Sequence, residues 1–125
     1  MEEHRKLKKA IYERYSNAFA DLPLTMNPHL ACSEPNYWLS CILLDKGVSA
    51  DPFEIMSRLN EHNIDSRPIW KPMHLQPVFA DRDFIRVNEL PVSEDVFSRG
   101  LCLPSDIKMT EAEQEEVIAI VKSFF

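Results

Sequence analysis

Tyr37-Trp38-Leu39-Ser40-Cys41-Ile42-Leu43-Leu44 is the longest apolar run in the chain, broken only by Ser40. Aromatic and aliphatic residues in such a run favour a pleated, packed strand. Its near-continuous apolar character predicts burial on both faces. It falls far short of the ~20 apolar residues that a membrane span needs.

Toward the N-terminus, Pro23, Pro28 and Pro35 mark a loop. Before it, Leu7, Ala10, Ile11, Tyr15, Ala18 and Phe19 recur at three- and four-residue steps. That spacing predicts a helix from Glu2 to about Ala20, ending near Leu22-Pro23. Arg5, Lys6, Lys8 and Lys9 cluster on it and read as its solvated face.

Toward the C-terminus, Asp51-Pro52-Phe53-Glu54 is a helix start, with a capping side chain, a proline at the first helical position and an acid where a capping box closes. Ile55, Met56 and Leu59 form its inner face, and it should end near Asn63. Ile64 to Arg67 reads as a short strand. Ser93 to Arg99 reads as a short helix, with Gly100 at the usual stop position. Leu101-Cys102-Leu103 reads as a buried strand ended by Pro104. Thr110-Glu111-Ala112-Glu113 is a second capping box, opening a helix with Val117, Ile120, Val121 and Phe124 inward. Glu111, Glu113, Glu115 and Glu116 complement that helix's dipole. Strands mixed with helices predict an α+β fold, a small two-layer α/β sandwich over residues 1–125, with no repeat or internal boundary.

Between these elements, Arg67-Pro68-Ile69-Trp70-Lys71-Pro72-Met73-His74-Leu75-Gln76-Pro77-Val78-Phe79 fits neither regular period. Its prolines forbid a regular helix or central strand, yet it is too apolar for a free linker. Two readings stay open. In one, Arg67 and Lys71 hold a phosphate or carboxylate, Trp70 stacks on a planar face, and His74 donates a hydrogen bond or exchanges a proton. In the other, the segment packs across a sheet with Trp70 and Phe79 as core.

Composition narrows the chemistry. Of 125 residues, 45% are hydrophobic and 27% charged, an ordinary globular balance. A net charge of -6 argues against nucleic acid as a partner. With only Gly47 and Gly100, the chain cannot build a glycine-rich phosphate loop. Cys32, Cys41 and Cys102 form no C-x-x-C pair, so the cysteines read as reduced and Cys102 as inert. His4, His29, His62 and His74 lack metal-ligand spacing. Asp81, Asp83, Glu94 and Asp95 read as solvated acids near turns. Met-Glu-Glu-His-Arg-Lys lacks the apolar core of a signal peptide, so a cytoplasmic location is expected.

Three ordered segments carry a resemblance: Asn36 to Ser40, Arg67 to Phe79, and Gly100-Leu101-Cys102-Leu103-Pro104-Ser105 followed by Met109-Thr110. Together with the helix bearing Arg14-Tyr15, they resemble the C-terminal small domain of the DegT/DnrJ/StrS sugar aminotransferases, which depend on pyridoxal phosphate. Ser105-Asp106-Ile107 departs from the small or glycine residue usual after the Leu-Pro-Ser step. The resemblance implies an aspartate-aminotransferase-like dimer that moves an amino group, from glutamate, to a keto-sugar nucleotide in polysaccharide biosynthesis. It implies that the Schiff-base lysine and cofactor site lie in a large domain absent here, so this piece binds no pyridoxal phosphate and is inactive alone. Trp70, Lys71 and His74 would then lie on the nucleotide-sugar side of the cleft, with Arg67 bracing that segment or contacting an anionic group. Two other readings stay open: a free-standing binding or regulatory module of the same fold, and a different carbonyl substrate on the same scaffold. A severed domain should also expose an apolar face, around Leu7, Ile11 and Trp70.

Overall fold

A computed structural model describes residues 2–87 and 89–125. The predicted α+β sandwich is what forms. Helix α1 spans Glu2–Ala18, strand β1 Leu24–Met26, β2 Ser40–Leu44, helix α2 Pro52–Glu61, β3 Arg67–Pro68, α3 Val92–Arg99, β4 Gly100–Leu103 and α4 Glu111–Lys122. The strands make one antiparallel sheet in the order β1-β2-β4-β3.

The sheet has two unlike faces. Strand residues alternate sides, so Ser40, Ile42 and Leu44 share one face with Leu101 and Leu103. That face is buried with Ile11, Tyr15 and Phe19 from α1 and the turn after it, Ile55 and Leu59 from α2, and Val117, Ile120 and Val121 from α4. Cys41, Cys102 and Arg67 lie side by side in register on the other face. The expected burial of β2 on both faces is therefore corrected: burial alternates, with Cys41 and Leu43 only half-buried. The strand is also shorter than predicted. Tyr37 sits at φ 53, a left-handed conformation that interrupts the extended run and leaves Trp38 exposed.

Polar contacts pin α1 and α4 together. Gln114, fully buried, donates Nε2–H to the Ile11 carbonyl at 2.8 Å and accepts from Arg14 Nη1 at 2.6 Å. The Tyr15 hydroxyl donates to the Pro104 carbonyl at 3.0 Å. Burial pushes that phenol well above its ordinary value. The capping box at Thr110 forms in both directions. At α2, Asp51 accepts from the Phe53 amide at 2.7 Å.

Gly100 does not end α3 in a left-handed turn. It is extended (φ -105, ψ 146) and opens β4. Its role is close approach: a Cβ there would lie 2.3 Å from Ile69 Cγ1 and 2.7 Å from the Val96 carbonyl oxygen. Ile11 is core rather than exposed apolar surface, whereas Leu7 and Trp70 are exposed.

Candidate functional site

The sheet face opposite the helical core borders a cavity of about 700 Å³. Segment 67–71 supplies one side, with Asp65 and Ser66 before it; Leu39, Phe97, Cys102, Leu103, Pro104 and Ser105 complete the lining. Local sequence explains the placement. Arg67 and Pro68 pair with Cys102 and Leu101 of β4, holding the start of the segment to the sheet. Pro72 is buried at φ -53, ψ 145, an extended geometry that carries the chain off the sheet into single 3-10 turns at Met73–Leu75 and Pro77–Phe79. Gln76 Nε2 donates back to the Lys71 carbonyl at 3.2 Å and closes the bend.

The cavity gathers Arg67, Trp70 and Lys71, three of the four residues singled out from sequence. Arg67 Nη2 pairs with Asp65 Oδ2 at 3.0 Å, with both side chains 75% exposed. An exposed pair of this kind is worth well under about 1 kcal/mol, so an anionic ligand can compete for the guanidinium. Among the described residues Lys71 forms no ion pair. Trp70 is 64% exposed and lies beside Trp38, also 63% exposed, with ring centroids 6.3 Å apart and planes tilted by 39°. Two indoles thus stand in the open next to two cations. Such a surface suits a ligand with a negative charge and a flat face.

His74 lies elsewhere. It lines a second cavity of about 350 Å³ with Met73, Phe79, Arg82, Asp83 and Phe84. Its Nε2 is 2.8 Å from Glu94 Oε1, and its ring stacks on Phe84 at 3.7 Å between centroids. Glu94 and Asp95 are therefore not the solvated acids expected. Asp95 holds Arg99 Nη2 at 2.6 Å, and that bond lowers its carboxyl from the ordinary value.

Sequence reasoning missed three contributors. Trp38 reaches the site region because Tyr37 turns out of the strand. Ser66 is 8% exposed and its hydroxyl, on the cavity lining, has no hydrogen-bond partner among the described residues. Ser105 clamps the wall: its Oγ accepts from the Ser40 amide at 2.9 Å and donates to the Leu103 carbonyl at 2.9 Å. Lys8 adds a tie from α1, donating to the Ser105 and Trp38 carbonyls at 2.5 and 3.1 Å. The Leu-Pro-Ser step carried the signal for Ser105 and the Asn36 to Ser40 segment that for Trp38; only the fold pointed to Ser66.

The set does not fit a pyridoxal phosphate site. Its one carboxylate, Asp65, is engaged by Arg67, and neither glycine lines the cavity to admit a phosphate against backbone. Nor do the described residues contain a group of three potential metal-binding side chains. No helix of the described chain is long and apolar enough to cross a membrane.

The DegT/DnrJ/EryC1/StrS aminotransferase family model matches residues 1–122. This chain belongs to that family. EpsN of Bacillus subtilis, named as a candidate pyridoxal phosphate-dependent aminotransferase, is 40% identical over all of the chain and 32% of its own length. The GDP-perosamine synthase of Vibrio cholerae is 28% identical over 96% of the chain and 32% of its own length. Among solved structures, a DegT DnrJ EryC1 StrS aminotransferase from Brucella abortus superposes with a TM-score of 0.79 at 25% identity, covering 98% of this chain and 31% of that one. The chain thus spans about a third of the length of its family relatives.

Proposed function

We propose that this chain is the C-terminal small domain of a pyridoxal-phosphate-dependent nucleotide-sugar aminotransferase, and that its cavity is one wall of the sugar-nucleotide cleft. The parent enzyme transfers an amino group from glutamate to a keto-sugar nucleotide for polysaccharide or glycan biosynthesis. It works in the cytoplasm as a homodimer. The observation that carries this reading is the placement of Arg67, Trp70 and Lys71 around one cavity in a chain of this family.

Each residue has a role set by its chemistry. Arg67 and Lys71 meet the diphosphate charge, the first as a fork and the second as a point charge. Trp70 offers its face to the base or sugar. His74, bound to Glu94, orients the segment on which those three sit. The cofactor's Schiff-base lysine and phosphate cradle belong to the remainder of the parent, because the cavity residues here do not fit that group. When bound there, pyridoxal phosphate supplies the electron sink for amino transfer.

The coding frame on the N-terminal side of Met1 distinguishes a domain from a free-standing module. A frame continuing into a lysine-bearing large domain is expected; a stop immediately upstream contradicts the proposal. In the longer protein, Trp70→Ala should raise the KM for a nucleotide sugar by roughly 3- to 10-fold, the value of one lost stacking contact. An unchanged KM removes Trp70 from the substrate wall.

A further inference from the structure

Cys41 and Cys102 are Cα partners on β2 and β4, and their sulfurs lie 3.4 Å apart as free thiols. We propose that Cys41 and Cys102 form a reversible disulfide site, closed by exchange with a low-molecular-weight disulfide.

The backbone geometry singles out this pair. The Cys41 carbonyl accepts from the Asn27 amide at 2.8 Å, and the Cys41 amide donates to Asn27 Oδ1 at 3.0 Å. Both polar groups of Cys41 therefore point to the β1 side. Toward β4 the pair is a non-hydrogen-bonded one, where facing Cα atoms come to about 4.5 Å and side chains approach most closely. That separation lies within the roughly 4.4 to 6.8 Å that a disulfide spans. Closing the sulfurs to a bond of about 2.05 Å requires a movement of about 1.4 Å.

Access comes from two sides. Cys41 is half-buried, and Cys102, though 6% exposed, lines the cavity of about 700 Å³. The shared bond divides their reactivity: it pushes the Cys41 thiol up, with burial adding to the effect, and holds Cys102 below the ordinary thiol value. Cys102 is thus the attacking group.

In the first step the Cys102 thiolate attacks one sulfur of the small disulfide, whose S–S bond breaks and releases one small thiolate. That thiolate takes the Cys41 proton. The Cys41 sulfur then attacks Cys102 Sγ of the mixed disulfide and expels the second small thiolate, which is protonated by solvent. Two protein thiols are oxidised and one small disulfide is reduced to two thiols. The closed bond joins β2 to β4 directly beside Arg67, the register neighbour of Cys102. Cys32, exposed and on a loop, has no part in the site. The proposal stands independently of the aminotransferase reading.

The test uses Cys32→Ser protein incubated with oxidised glutathione, quenched with acid and read by intact mass and free-thiol count. The expected product has lost two hydrogens and both thiols and carries no adduct. With Cys41→Ser added, one glutathione should remain bound at Cys102. Closure should run at least about tenfold faster in native protein than in urea, because the fold supplies the proximity. Two retained thiols, glutathione on both cysteines without closure, or equal rates in urea would each overturn the proposal.

Discussion

Gly100→Ala probes how the cavity segment is seated. Gly100 has φ -105, a conformation open to alanine, so backbone strain contributes nothing. The cost is steric. The added Cβ would sit 2.3 Å from Ile69 Cγ1, which can swing, and 2.7 Å from the Val96 carbonyl oxygen, which belongs to the last turns of α3 and cannot. Overpacking of this kind costs up to about 3 kcal/mol, more where backbone must shift. The loss of unfolded-state freedom returns about 0.7 kcal/mol. A net loss of about 2.3 kcal/mol, against an unfolding entropy near 0.26 kcal/mol per kelvin for a chain of this length, lowers Tm by roughly 9 °C. Circular dichroism melts of the two proteins measure it. Adding Ile69→Ala should recover only part of the loss, since the Val96 contact remains. A Tm within about 2 °C of the parent would refute the close-approach argument.

Gln114→Ala removes both buried bonds between α1 and α4 and leaves a void, so the urea-unfolding free energy should fall by about 2 kcal/mol; a change under 0.5 kcal/mol would place the α1–α4 junction elsewhere. Glu113 accepts from the Thr110 amide and hydroxyl, and the backbone bond foremost holds its carboxyl below the ordinary 4.5. Its contribution is therefore complete above that ordinary value and lost as pH falls through the lower folded value. The gap in urea midpoint between the unsubstituted protein and Glu113→Ala should narrow as pH falls below the ordinary 4.5; a constant gap contradicts the capping role.

Helix positions were legible in sequence because period and caps are local. The Thr110 to Glu113 box and the inward Val117, Ile120 and Val121 came out as read. Strand extents were not. β1, three residues between Pro23 and Pro28, carries too little pattern to stand out from a loop, and β2 loses its first residues to the left-handed Tyr37. Gly100 at a helix end suggested a turn, but the demand on it is close approach, by the Val96 carbonyl of α3 and by Ile69, thirty-one positions back in the chain. The same limit governs the site. Composition marked Arg67 to Phe79 as unusual and drew Arg67, Trp70 and Lys71 to one place. The partners of His74 come from Phe84 and Glu94, so only the folded chain reveals that its ring is engaged. Cys41 and Cys102, 61 positions apart, meet through strand register alone.

The proposed division of labour, with the cofactor chemistry outside this chain, is tested most directly by borohydride trapping. The purified 125-residue protein is mixed with pyridoxal phosphate, reduced, digested and mapped by mass spectrometry. The expected result is no stoichiometric pyridoxyl adduct on Lys71 or on any other single lysine, with no aminotransferase turnover. A one-to-one adduct at a unique lysine would contradict the assignment of the carbon–nitrogen chemistry to the remainder of the parent.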